Sequence, residues 1–398
     1  MANLLKFVLA DGRSATLLVG ERATVLAVDD TLVSSSDLAG RPYVLVREGG
    51  TYRRGLDGGL LWKREAMADA PRPRRHLAAA EGAAVVEAAR ADAAAALEAV
   101  GGRLSAVVSL EARTRLEQIV AMDAAALQSD AERFLAICGP VGVLPPDQYL
   151  SLVVRVTEGC SWNACRFCSL YADIPFRVKA PGELARHIAA VRDYFGRSLA
   201  LRRSVFLGDA NALCLAPDRL LPLLEVVAAS FPGLPLFSFV DACTGHRRTA
   251  AEWGACRALG LSRVYVGLES GEPELVSWLG KPGAPDAALR LVRALHEGGL
   301  DAGVIVLVGA GGERFSAAHV ARTVEVLTAM RLGPRDIVYL SEYVEDSSFA
   351  SGRRAVAAPD LAPLSPARAR LQQEAIAKAV RRSPGPRIAR YHLGEFVY

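Results

Sequence analysis

From residue 150 onward the chain alternates apolar runs of strand length with segments of helix length, and this alternation restricts the fold more than any other feature. The apolar runs are Leu152–Val156, Ser204–Gly208, Leu236–Val240, Arg263–Gly267, Ala302–Val308 and Asp336–Leu340, with starts 52, 32, 27, 39 and 34 residues apart. Helical patterns at Pro181–Phe195, Pro217–Ser230, Thr249–Leu259, Asp286–Glu297 and Ser316–Met330 fill the intervals. Parallel strands need a long crossover, usually a helix, so the pattern predicts parallel βαβ units. Six units fall short of the roughly 250 residues of a closed eight-fold barrel. An open or partial barrel and a doubly wound sheet both satisfy the count.

The rest of the 398 residues leaves room for one or two further domains at about 150 residues each. Residues 1–76 read as β-rich, with turn pairs at Asp11-Gly12, Gly20-Glu21 and Gly49-Gly50 between β-favouring runs. A Pro-Arg break at 70–75 leads into a helical region, 77–147: an alanine-rich helix to Val100, a Gly101-Gly102 cap, and a second helix around Leu116 to Ile137. The alternating segment occupies 148–348. The extension, 349–398, holds a basic helix from Pro366 to Arg382 and a last segment, Arg387–His392, after a Pro-Gly-Pro break.

Mean hydropathy is positive, +0.21, but alanine accounts for much of it. No charge-free apolar stretch of 18 residues exists, which argues against a transmembrane helix, and Met1–Ser14 lacks the layout of a secretory leader. The expectation is a cytoplasmic protein without membrane contact. A net charge of +4 is too mild to imply nucleic acid by itself.

Seven cysteines are present, and three of them, Cys160, Cys165 and Cys168, fall within nine residues in the loop after the first predicted strand. Such loops are where parallel α/β folds place their sites. A tight cluster in a chain without a leader reads as metal binding rather than as a disulfide framework. Three thiolates can hold zinc or an iron–sulfur cluster. No histidine lies between residues 77 and 186 to supply a fourth nearby ligand, which suggests an open coordination position. Plain packing of the cysteines and a structural zinc site are the competing readings.

The C-x4-C-x2-C loop followed by the strand–helix repeat resembles the radical S-adenosylmethionine (radical SAM) superfamily over about 150–345. Its usual signature spaces three cysteines by three and then two residues, with an aromatic residue before the last; Phe167 fills that place, and the first gap here is one residue longer. The resemblance implies an α/β fold with a partial (β/α)6 TIM-like barrel, a β-rich plus helical N-terminal accessory region and a short C-terminal extension. It implies a [4Fe–4S] cluster on Cys160, Cys165 and Cys168, and S-adenosylmethionine (SAM) chelated to the fourth iron. Reductive cleavage would give a 5′-deoxyadenosyl radical that abstracts hydrogen from substrate.

Further motifs follow in strand order. Gly208, Asp209 and Asn211 after strand two resemble the segment that holds the SAM amino group, a carboxylate facing an ammonium. Glu269 and Ser270 at the end of strand four resemble the contacts to ribose or methionine. Gly309 and Gly312 after strand five resemble the segment near adenine, where glycine permits close backbone approach. Phe167 is grouped with these cofactor contacts.

Substrate contacts are expected from Asp241 and Glu342, at the ends of strands three and six, with His246 and Arg247 close behind Asp241. The expected partners are an electron donor such as a flavodoxin or ferredoxin and an unidentified substrate. Residues 366–390 carry seven basic residues against one acidic, a run compatible with an anionic substrate or RNA but lacking aromatic stacking positions. A non-catalytic iron–sulfur or zinc-binding scaffold, and an RNA-modification factor using the basic tail, are the alternatives.

Overall fold

A computed structural model describes residues 3–29, 31–64, 73–100, 106–344 and 364–398. Two compact units divide the chain: residues 1–141, 189–203 and 394–398 form one, and residues 142–188 and 204–393 form the other. The β-rich and helical segments at the start of the chain thus fall mostly in one unit.

In the first unit, eight strands form an antiparallel meander: β1 (Asn3–Val8), β2 (Ser14–Val19), β3 (Thr24–Val28), β4 (Leu32–Ser36), β5 (Pro42–Arg47), β6 (Gly50–Arg54), β7 (Leu60–Lys63) and β8 (Arg74–His76). Alternation along β1, β2 and β3 buries Leu5, Leu17 and Leu26 against Ala93 and Ala96 of α1 (Ala79–Val100) and Leu116 of α2 (Ala106–Val120). The β5–β6 turn is Glu48-Gly49, with φ of 51° and 70°, rather than Gly49-Gly50. Two successive positive φ values are what a two-residue hairpin turn demands. The single helix expected at 116–137 is two, because Asp123 starts α3 (Ala124–Cys138) by accepting from the Ala126 N–H at 2.8 Å. Residues 70–72 of the expected break and the Gly101-Gly102 cap lie outside the described residues.

The second unit holds the predicted repeat. Its elements are β9 (Leu152–Arg155), β10 (Thr157–Glu158), β11 (Arg177–Val178), the first half of α4 (Pro181–Phe195), β12 (Val205–Gly208), α5 (Pro217–Ser230), β13 (Leu236–Val240), α6 (Ala242–Gly245), α7 (Ala250–Ala258), β14 (Leu261–Glu269), α8 (Pro273–Trp278), α9 (Pro285–Glu297), β15 (Asp301–Val308), α10 (Gly312–Ala329), β16 (Ile337–Glu342), α11 (Pro366–Val380) and β17 (Arg387–Tyr391). One parallel sheet runs in the order β9-β12-β13-β14-β15-β16-β17. The six expected strands are all present, in sequence order, as parallel βαβ units require. The seventh, β17, comes from the extension and pairs with β16 from Ile337↔Arg387 to Ser341↔Tyr391.

Aromatic side chains from five of the strands make a layer along the sheet. Phe206, Phe239, Tyr265, Tyr339 and Tyr391 succeed one another with ring centroids 5.1, 5.8, 6.4 and 6.4 Å apart. Asp147 accepts from the Tyr265 hydroxyl at 2.7 Å, the Tyr339 hydroxyl at 2.6 Å and the Arg263 guanidinium at 2.9 Å. That pairing satisfies the hydroxyls of Tyr265 and Tyr339 within the apolar layer. No helix among the described residues is long and apolar enough to cross a membrane.

Candidate iron–sulfur site at the strand ends

Two residues beyond β9, β10 pairs antiparallel with β11, so residues 159–176 form a loop closed at its base. Arg177 binds Glu158 at 2.7 Å, and Lys179 pairs with the same carboxylate. Burial opposes the charge on Glu158, yet these two cations hold its carboxyl below the usual range. Gly159 sits at φ 71°, where a Cβ would lie 2.5 Å from the Ile174 carbonyl oxygen. Only glycine fits there. Within the loop the Asn163 N–H donates to Cys160 Sγ at 3.4 Å, its side-chain amide to Tyr171 O at 2.7 Å, and the Cys168 N–H to Cys165 O at 3.4 Å.

The loop is docked onto the segment after α8. The Arg166 N–H donates to Leu279 O and Trp162 Nε1–H to Gly280 O, each at 2.9 Å. Phe167 packs against a cluster of Leu275, Leu279, Leu307, Ala310 and Phe315. Its role in this structure is to anchor the cysteine loop on apolar contacts.

Burial pushes the Cys165 thiol up to about 12, with Lys281 working against the shift, and burial also raises Cys168. Unligated, these thiols stay protonated at neutral pH; a coordinating metal deprotonates a thiol outright. Among the described residues no three Cys, His, Asp or Glu side chains converge on a single-ion position. A structural zinc needs four ligands around one point, whereas the thiolates of a cluster bind separate irons. Three thiols on one partly shielded loop supply the ligand number of a cluster that keeps one iron open.

Beside the loop stands a polar network from the next two strands. Asp209 pairs with Arg155 at 2.9 Å and accepts from the Gly159 N–H at 3.0 Å, while its own N–H donates to Thr157 Oγ1 at 3.2 Å. Burial raises the Asp209 carboxyl, against the pull of Arg155. Both oxygens of Asp209 are engaged within the protein, so the carboxylate expected to face the SAM amino group also braces the loop. The Gly208 carbonyl accepts from the Val156 N–H at 3.0 Å. Asn211 donates to Ser161 Oγ at 2.8 Å and to Asp241, and accepts from the Asp241 N–H at 3.0 Å. Asp241 also caps α6 through the Thr244 N–H at 2.8 Å. His246 contacts the Ala242 carbonyl through Nδ1 at 2.8 Å.

Glu269 ends β14 at φ 59° and pairs with Lys281. Ser270 turns away from this site: its hydroxyl meets His319 Nδ1 at 2.7 Å and accepts from the Glu272 N–H at 2.9 Å, both side chains being fully buried. The Gly309 N–H is taken by Gln372 of α11 at 2.7 Å. Gly312 is the first residue of α10. Glu342 lies 3.7 Å from His392. In the basic helix, Arg368 pairs with Glu313 at 2.8 Å and Arg382 donates to Leu332 O at 2.6 Å.

The structure thus joins the cysteine loop, Asp209, Asn211 and Asp241 in one network and brings Glu269 to it through Lys281; Ser270 and Glu342 stand apart. Arg155, Thr157, Ser161 and Lys281 were not legible as site residues. Arg155 carried one signal, a cation closing an otherwise apolar strand; Lys281 sits in no motif.

The family model described as the radical SAM superfamily matches residues 154–324. No protein of curated function matches the chain. Among solved structures, the radical S-adenosylmethionine methyltransferase TsrM from Kitasatospora setae is 18% identical, with 48% of this chain and 37% of that chain covered and a TM-score of 0.37. Coproporphyrinogen III oxidase from Escherichia coli is 17% identical over 63% of this chain and 56% of that one, with a TM-score of 0.44. Methylornithine synthase is 15% identical over 76% and 81%, with a TM-score of 0.40. The chain thus spans well under two thirds of the length of the methyltransferase it resembles.

Proposed function

We propose that this protein, whose residues 154–324 match the radical SAM superfamily model, is an enzyme acting through Cys160, Cys165 and Cys168. These three thiols would hold a [4Fe–4S] cluster, which together with SAM would supply reductive SAM cleavage and hydrogen-atom abstraction from the substrate. The observation that carries this reading is the docked, partly shielded cysteine loop at the C-terminal ends of a parallel sheet, next to a buried polar network.

The chain's own residues have distinct parts in this reading. Asp209 and Arg155 brace the loop, and Asn211 ties it through Ser161 to Asp241. Asp241 is the substrate-side group at the mouth, and Glu342 with His392 a second. Gly208, Glu269, Gly309 and Gly312 border the space for SAM, whereas Ser270 supports Glu269 from behind. Residues 148–348 are the catalytic segment and the first 147 an accessory region. The reaction is of the oxidoreductase class, in the cytoplasm, with electrons from a flavodoxin- or ferredoxin-like donor.

The test is anaerobic reconstitution, reduction and incubation with SAM. Formation of 5′-deoxyadenosine and methionine is expected. Intact SAM recovered from a protein bearing a full cluster overturns the reading.

A further inference from the structure

Lys281 lies outside every motif of the sequence, yet its surroundings are built to accommodate its charge. Its ammonium pairs with Glu269, and the two side chains are only 12% and 6% exposed. Gly267 makes the room: a Cβ there would lie 2.3 Å from Lys281 Nζ and 2.2 Å from Glu269 Oε1. The backbone just before Lys281 is fixed to the cysteine loop through Leu279 O and Gly280 O. Gly280 adopts φ 67°, and a Cβ there would sit 3.0 Å from the Ala164 carbonyl oxygen. Gly280, next to Lys281 in the chain, thus abuts Ala164 and Arg166, the two neighbours of Cys165, and sets the Lys281–Glu269 pair beside the middle of the cysteine loop.

We propose that Lys281 is a positioning residue for electron entry: its buried ammonium, oriented by Glu269, stabilises the negative charge that a cluster on Cys160, Cys165 and Cys168 gains on one-electron reduction. The inference rests on the proposed function of those thiols. One electron passes from a low-potential one-electron donor to the cluster; the donor is oxidised, the cluster is reduced, and no bond forms or breaks. A fixed charge in a partly desolvated site acts strongly on such an equilibrium, and neighbouring charge and hydrogen bonding are the protein's means of setting cluster potentials.

The test is a dithionite titration of the reconstituted full-length protein without SAM, with the reduced cluster followed by electron paramagnetic resonance. Lys281→Met is expected to lower the reduction equilibrium constant about tenfold, equivalent to about 59 mV for one electron. Glu269→Gln is expected to move the midpoint the other way, and Lys281→Arg to stay near wild type. A merely structural role would move Lys281→Met and Glu269→Gln together. An unchanged midpoint in Lys281→Met, or shifts of the same sign in both variants, overturns the proposal. If Lys281→Met does not fold, a Glu269→Gln midpoint at or below wild type overturns it. A wild-type chain that assembles no cluster overturns the proposed function and this inference with it; a clustered wild type with insensitive variants overturns this inference alone.

Discussion

Arg155 and Asp209 meet at 2.9 Å across the C-terminal ends of neighbouring strands β9 and β12, both nearly excluded from solvent. The second oxygen of Asp209 holds the Gly159 N–H, one residue before the first cysteine. The pair therefore couples the sheet to the mouth of the loop. Arg155→Met leaves a buried carboxylate without its cation, at a cost of ~3–5 kcal/mol. Chemical denaturation of the cluster-free protein should show that loss, and a change below ~1 kcal/mol would contradict the brace.

Gly267→Ala places a methyl group where Lys281 Nζ and Glu269 Oε1 already lie. Overpacking of this kind costs ~1–3 kcal/mol. The expected result is a lower melting temperature and reduced iron incorporation, with Gly182→Ala, at a glycine without positive φ whose Cβ would meet nothing nearer than 3.9 Å, as a comparison for the added methyl group alone.

The cysteines should divide sharply. Cys165→Ala is expected to lose the cluster's visible chromophore and most bound iron. Cys256→Ala, at a thiol buried within α7, should keep both. Iron and sulfide analysis after anaerobic reconstitution decides, and a Cys165→Ala protein with full iron content removes it from the ligand set.

His319 is buried neutral, and burial lowers it to about 4 from its ordinary 6.5. Between these values the unfolded chain binds a proton that the folded chain does not, so stability falls as pH drops from 6.5 toward 4. The loss reaches up to ~3 kcal/mol from this group. His187, lowered to about 4 by burial, adds in the same direction. His319→Asn should flatten the slope of stability against pH in that window; an unchanged slope would contradict the assignment.

Strand and helix positions in the second unit were legible because buried parallel strands are continuous apolar runs and the helices between them carry their own periodicity. β17 escaped because Arg387–Tyr391 is a mixed, half-exposed edge strand without such a run. The helix break at Asp123 was hidden by apolar periodicity on both sides of one capping residue. At the site, the cysteines declared themselves by spacing. Arg155 and Lys281 did not, because each is placed by a partner on another element, Asp209 and Glu269. Ser270 was read from its motif, but strand direction alone does not reveal that its hydroxyl turns toward His319.

The aromatic layer bound to Asp147 has a consequence for how the sheet comes apart. Asp147, just before β9, accepts from Arg263 and Tyr265 of β14 and from Tyr339 of β16. Tyr265 is fully buried, and Phe206 and Tyr339 nearly so. One carboxylate thus acts as a rivet through three segments distant in sequence, and pulling it away leaves three donors unmet at once.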